Sequence, residues 1–218
     1  MSFHCAFHDI SVAQLALVAA VAFVASLVGG VLGYGTGALM PLVLVPLIAA
    51  GPVVPIIAIS AMFSNTSRMS AFIKHVDWRR AAVVLILSVP FCVLGAWGYT
   101  RLTSANAALV IGGVLILSVS GVILLSLLLA AGVPSAGVIA TDAAISIVIS
   151  VVKISVFGVS GVITAQVVAF ALLIGFVALP GGFLAKAFAE RMPIHVHTAV
   201  LDAVVLIGGL FLVLHAFR

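Results

Sequence analysis

Four ionisable residues, Arg68, Asp142, Lys153 and Asp202, stand inside long apolar runs, where polar chemistry has few other handles. On one run Ser60, Ser64, Ser67, Arg68 and Lys74 fall within about 120° of a helix circumference at 100° per residue, and Asn65 and Thr66 widen that stripe. On another, Asp142, Ser146, Ser150 and Lys153 make the equivalent stripe. Arg68 offers a fixed fork of donors for an oxyanion, Lys153 a compact ammonium, and the serines and Asn65 neutral donors. That chemistry suits a small anion. An Arg, Lys or Asp at the centre of a membrane helix costs about 2.5–3.5 kcal/mol, so these groups must pair, snorkel to an interface or line water.

A glycine tract adds backbone donors. Residues 29–37 hold five glycines, Gly33, Gly35 and Gly37 among them. Irregular backbone there would aim free N–H groups, and the start of a following half-helix its positive dipole, at the same anion. Close helix packing on small residues is the competing use of such glycines. Asp142 has three readings: a partner of Lys153 in the empty state, the carrier of a coupling proton, or half of a structural ion pair. About 16 Å of helix separates it from Lys153 at 1.5 Å per residue, so direct pairing would need a bend or another chain. Asp202 reads as a proton relay or as a partner of Lys186 or Arg191.

The elements that must position these groups are membrane helices. The chain has 218 residues, 65% hydrophobic and 6% charged, with mean hydropathy +1.48, which excludes a water-soluble globule. A soluble catalytic or nucleic-acid-binding module has no room. Apolar runs at 11–28, 56–74, 80–100, 105–131, 136–158, 162–189 and 196–217 predict about seven transmembrane segments. The stretch 38–50 is too short to cross alone, so 11–50 is expected to be one discontinuous element with a glycine break and a half-helix. The connection Lys74-His75-Val76-Asp77-Trp78-Arg79-Arg80 is the most basic and should be cytoplasmic. Trp78 and Trp97 read as interfacial anchors, and Phe91 and Cys92, after Pro90, as core. The tail before residue 11 lacks Lys and Arg, so the first run is expected to be retained and not cleaved as a signal.

The second half repeats the first weakly. Ala58-Ile59-Ser60-Ala61 matches Ala140-Thr141-Asp142-Ala143 at an offset of 82, and Pro90 and Arg101 match Pro180 and Arg191. Three spans separate matching helices, so the copies face opposite ways. The expected architecture is an all-α integral membrane protein, a single membrane domain over 1–218, with a first repeat at 11–131 and a second at 136–218. The second copy lacks a counterpart of the glycine-rich hairpin.

These features in this order resemble the sulfite exporter family of TauE/SafE type. The resemblance runs through Gly33-Tyr34-Gly35-Thr36-Gly37 with Pro41, Gly51-Pro52, the polar helix from Ser60 to Arg68, and His75-Val76-Asp77-Trp78. It continues through Pro90 and Gly95, Ala140-Thr141 to Lys153, Phe157, Gly158, Pro180-Gly181 and Arg191. It implies a carrier of sulfite or organosulfonate anions across the bacterial inner membrane. Members carry a glycine-rich hairpin in each repeat; a homodimer would supply the one missing here.

The leading expectation is therefore a secondary anion transporter with ion coupling. Its substrate would lie between the repeats on Arg68, Lys153, Ser60, Ser64, Asn65, Ser146 and the glycine tract, with Asp142 and Asp202 as coupling or ion-pair residues. A passive anion channel and a non-transporting membrane assembly subunit are the alternatives. No enzyme is expected, since the sequence holds neither a His-Glu zinc helix nor a Gly-x-Ser-x-Gly elbow. No cofactor is implied, and His195 and His197 lack a third fixed ligand for a metal.

Overall fold

A computed structural model describes residues 11–32, 35–103, 106–111, 113, 135–189, 206 and 210, and all regular structure among these residues is helical. The helices are α1 (Val12–Leu32), α2 (Gly35–Ile48), α3 (Val53–Phe72), α4 (Trp78–Tyr99), α5 (Ser135–Val159) and α6 (Ala165–Ala189). Residues 106–111 are also helical. Local chemistry sets the boundaries. Ser11 starts α1 with a reciprocal capping box: the Gln14 N–H donates to Ser11 Oγ at 3.2 Å, and the Ser11 N–H donates to Gln14 Oε1 at 2.9 Å.

α2 ends at a tight turn. Ala49 takes a left-handed φ of 63°, unusual for a residue with a Cβ, and Pro52 caps α3. The Tyr99 hydroxyl, from the far end of α4, donates to the Ala50 carbonyl at 2.6 Å and pins this turn. At the other end of α3 the chain tightens into a 3-10 turn, Ile73–His75, before α4. Asp77 caps α4 by accepting the Arg80 N–H at 3.0 Å, while its own N–H donates to Thr141 Oγ1 on α5 at 3.0 Å.

The helices pack across the chain more than along it. α3 lies against both α5 and α6, α4 against α5, and α1 against α6 and α2. α3 and α4, joined by a short turn, splay apart instead of packing on each other, as do α5 and α6. Exchanging α3 with α5 and α4 with α6 leaves the α3–α5, α3–α6 and α4–α5 contacts as a set unchanged.

Contact registers give the directions. His75 lies by Gly137, Arg68 pairs with Asp142, and Ala58 shares a buried cluster with Phe157, so α3 and α5 are antiparallel. Phe63 meets Phe176 and Ser67 meets Leu179, so α3 and α6 are parallel. Asp77 meets Thr141, Cys92 meets Ile149 and Tyr99 meets Phe157, which makes α4 and α5 parallel too. The main apolar core joins α1, α2, α3 and α6 around Val18, Met40, Leu44, Ile56, Phe170 and Ile174.

Two helices, Trp78–Tyr99 and Ala140–Val159, are long and apolar enough to cross a membrane. α4 is not covered by the rest of the chain as a core helix would be: Val83, Ile86, Leu87, Phe91 and Leu94 are all exposed. Trp78 and Trp97 sit near its two ends, about 29 Å apart at 1.5 Å per residue, close to the thickness of a hydrocarbon core. The guanidinium of Arg101 lies over the Trp97 ring, 5.1 Å from its centroid.

Two expectations need correction. Helix continues through Gly29 and Gly30 to Leu32 and resumes at Gly35, so most of the glycine tract is helical where irregular backbone was expected. Residues 33 and 34, and Gly33 with them, lie outside the described residues. The half-helix is present as α2, 14 residues with Pro41 and Pro46 inside it. Phe91, expected in the core, is 75% exposed. Most of the expected fourth and seventh spans, and Asp202, lie outside the described residues.

Candidate functional site

α3 carries an unusual load for an apolar chain. Ser60, Ser64, Asn65, Ser67 and Arg68 are all buried on it. The stripe works because α3 is enclosed by α5 on one side and α6 on the other, so its polar face meets protein. Small residues let α6 approach. A Cβ at Gly175 would come within 2.5 Å of the Phe63 ring, and one at Gly181 within 2.7 Å of the Ser26 Cβ on α1. Ser67 donates its hydroxyl to the Leu179 carbonyl of α6 at 3.0 Å, beside Pro180. This bond reaches from one helix to the other and ties the polar face of α3 directly to the α6 backbone.

Arg68 is the centre of this face. Its side chain is 4% exposed, and Nη2 lies 2.6 Å from Oδ2 of Asp142 on α5. Nη1 donates to Asn65 Oδ1 at 3.3 Å, one turn back on α3. The Asp142 side chain is 47% exposed, so the pair is lopsided: the cation is enclosed and the carboxylate is open. A charge-assisted bond of this length fixes the guanidinium plane. It also joins two antiparallel helices that are far apart in sequence. Arg68 does not snorkel, and the expected Asp142–Lys153 pair is not formed; Asp142 reaches across to Arg68 instead. Physically, 11 residues of straight helix hold Asp142 and Lys153 apart, whereas the α3–α5 crossing brings Arg68 into reach.

The neighbouring serines are quieter. Ser60 and Ser64 donate to the carbonyls of Ile57 and Ala61 in their own helix, which leaves their lone pairs as acceptors. Ser146, one turn beyond Asp142 on α5, is half-buried, and Ser150, a turn further, is buried. Gly35 and Gly37 lie at the start of α2, and a Cβ at Gly37 would meet nothing within 4 Å. No close backbone approach demands that glycine.

Lys153 lies elsewhere. It lines a groove of about 600 Å³ between α4 and α5, together with Leu87, Ser88, Phe91, Cys92 and Tyr99. Sequence reasoning did not connect Lys153 with α4. Cys92, expected in the core, instead faces this groove and points its thiol at the Ile149 carbonyl at 3.9 Å. Tyr99 was also missed, although a tyrosine closing an apolar run is itself a cue for a hydroxyl seeking a carbonyl. Among the described residues no group of three His, Cys, Asp or Glu side chains could hold a metal ion. Compared with known proteins, the chain matches no family model, no curated sequence and no solved structure.

Proposed function

We propose that this protein is a multi-pass secondary transporter of small anions in the bacterial inner membrane, with sulfite or an organosulfonate as its cargo. The observation that carries the reading is the enclosed Arg68 held by a half-exposed Asp142 across the α3–α5 crossing. An oxyanion entering beside Asp142 competes with that carboxylate for the guanidinium fork, with Asn65 and Ser64 one turn away. Substrate and Asp142 then exchange places as the partner of one cation. The displaced carboxylate is free to take a proton, which gives anion binding a route to ion coupling.

The antiparallel α3–α5 crossing and the exchange-symmetric contacts support two inverted repeats about this site. The offset of 82 relates Arg68 and Asp142 to Ser150 and Ser60, both buried. On this reading one access route is guarded by an ion pair and the other by hydroxyls. Gating need then break only one strong contact.

The test is uptake by proteoliposomes. Saturable sulfite or methanesulfonate flux is expected from the unaltered chain, with acetate and sulfate as comparators. Arg68→Ala should lower it about a hundredfold or more, the cost of removing a desolvated charged contact. Asp142→Asn should bind the anion more tightly while slowing turnover. Normal flux through well-folded Arg68→Ala protein would remove the site, and flux that never saturates would indicate a channel.

A further inference from the structure

We infer that the α4–α5 groove is a second anion site, separate from the Arg68 crossing, and that it takes an amphiphilic monoanion. A compact sulfonate, sulfate, carboxylate or phosphodiester head would sit on Lys153, and an apolar tail would run along Leu87 and Phe91. The inference does not rest on transport.

Charge is the first argument. Among the described residues no carboxylate lines the groove, and its polar side chains besides Lys153 are a serine hydroxyl, a thiol and the Tyr99 hydroxyl already given to Ala50. Among the described residues Lys153 makes no ion pair and no hydrogen bond. An ammonium at membrane depth with no protein counter-charge calls for a ligand that brings one.

Direction is the second. Side chains on a helix lean toward its N-terminus, and α5 begins beside the basic turn at His75. Lys153 therefore leans away from the nearer end of α5, Val159, and toward the middle of the bilayer. Its groove runs from Tyr99 and Phe157 at that end down to Leu87 and Ser88 near the middle of α4, so there is room along the lean. Snorkelling to the near interface would run against that lean.

Shape is the third. A volume of about 600 Å³ falls in the usual range for small-ligand sites. Leu87 and Phe91 are 65% and 75% exposed, so the rim is apolar and opens sideways. A ligand arriving through such a rim needs a tail as well as a head. Inorganic sulfite has none.

The experiment is a binding measurement on the full chain in phosphatidylcholine nanodiscs, with 1-octanesulfonate as the probe and apparent melting temperature as a second readout. Octanesulfonate should bind saturably and raise the melting temperature. Octyltrimethylammonium and methanesulfonate should do neither through this site. Lys153→Gln should weaken octanesulfonate about tenfold or more, and Lys153→Arg should restore much of the loss. Leu87→Asn keeps the ammonium and should also weaken binding, which covers a failure of the lysine variant to fold. Replacing the lipid with phosphatidylglycerol separates the sources. Weaker octanesulfonate binding there, in the unaltered chain but not in Lys153→Gln, assigns the site to a bilayer lipid; unchanged binding assigns it to a free amphiphile. Equal affinity with and without Lys153, or equal binding of the cationic amphiphile, would overturn the inference.

Discussion

At the α3–α5 crossing a guanidinium is enclosed by protein and given a carboxylate at 2.6 Å, while about 16 Å further along α5 an ammonium lines an open groove with no such partner. Both cations belong to stripes that look alike in sequence. Their difference comes from neighbours. α3 is covered on two sides, so Arg68 must be neutralised by the fold itself; α4 leaves a gap along α5, so Lys153 can be neutralised by something that comes and goes. A cation satisfied internally contributes structure and is available to a competing anion only by exchange. A cation left open contributes little structure and is free to bind.

Unfolding measurements in nanodiscs can break that comparison. The largest effect is expected from Arg68→Met, which strands Asp142. Breaking such a pair costs about 3 kcal/mol, the lower end of the usual range because Asp142 is half-exposed. Adding Asp142→Leu should recover much of it, and a double variant no more stable than the single would mean that the pair is not coupled.

Next comes Gly181→Ala, whose methyl would press on Ser26 where α6 meets α1. A loss of about 1–3 kcal/mol is expected, relieved by Ser26→Gly. An unchanged melting temperature would show that α1 yields more easily than the close contact implies. Smallest, and opposite in sign, is Lys153→Met. With no internal partner to strand, it should cost nothing and raise stability by up to about 1 kcal/mol. A loss as large as that of Arg68→Met would erase the distinction between the two sites.

Much of the fold was legible. The expected runs 56–74, 80–100, 136–158 and 162–189 correspond to helices 53–72, 78–99, 135–159 and 165–189, because long apolar stretches punctuated by Gly, Pro and charge leave helix as the only economical path through a bilayer. The half-helix after the glycine tract was legible as well, though α1 runs on through Gly29 and Gly30 to Leu32, further than expected. Legible too was the polar face of α3, whose serines and Arg68 recur at helical spacing.

The partners of that face were not legible. Asp142 had three plausible roles, and nothing local distinguishes Lys153, 11 positions away on the same helix, from Arg68, 74 positions away on another. Periodicity fixes which side of a helix a residue occupies, because that depends on 3.6 residues per turn and nothing else. Which helix then covers that side depends on how the chain crosses itself. The sequence alone thus determined a strongly apolar, helical chain whose polar residues fall in stripes at helical spacing. Only the tertiary structure decided that one stripe would be sealed by Asp142 and the other left open beside α4, because crossing register is set by packing among distant segments and leaves no local trace.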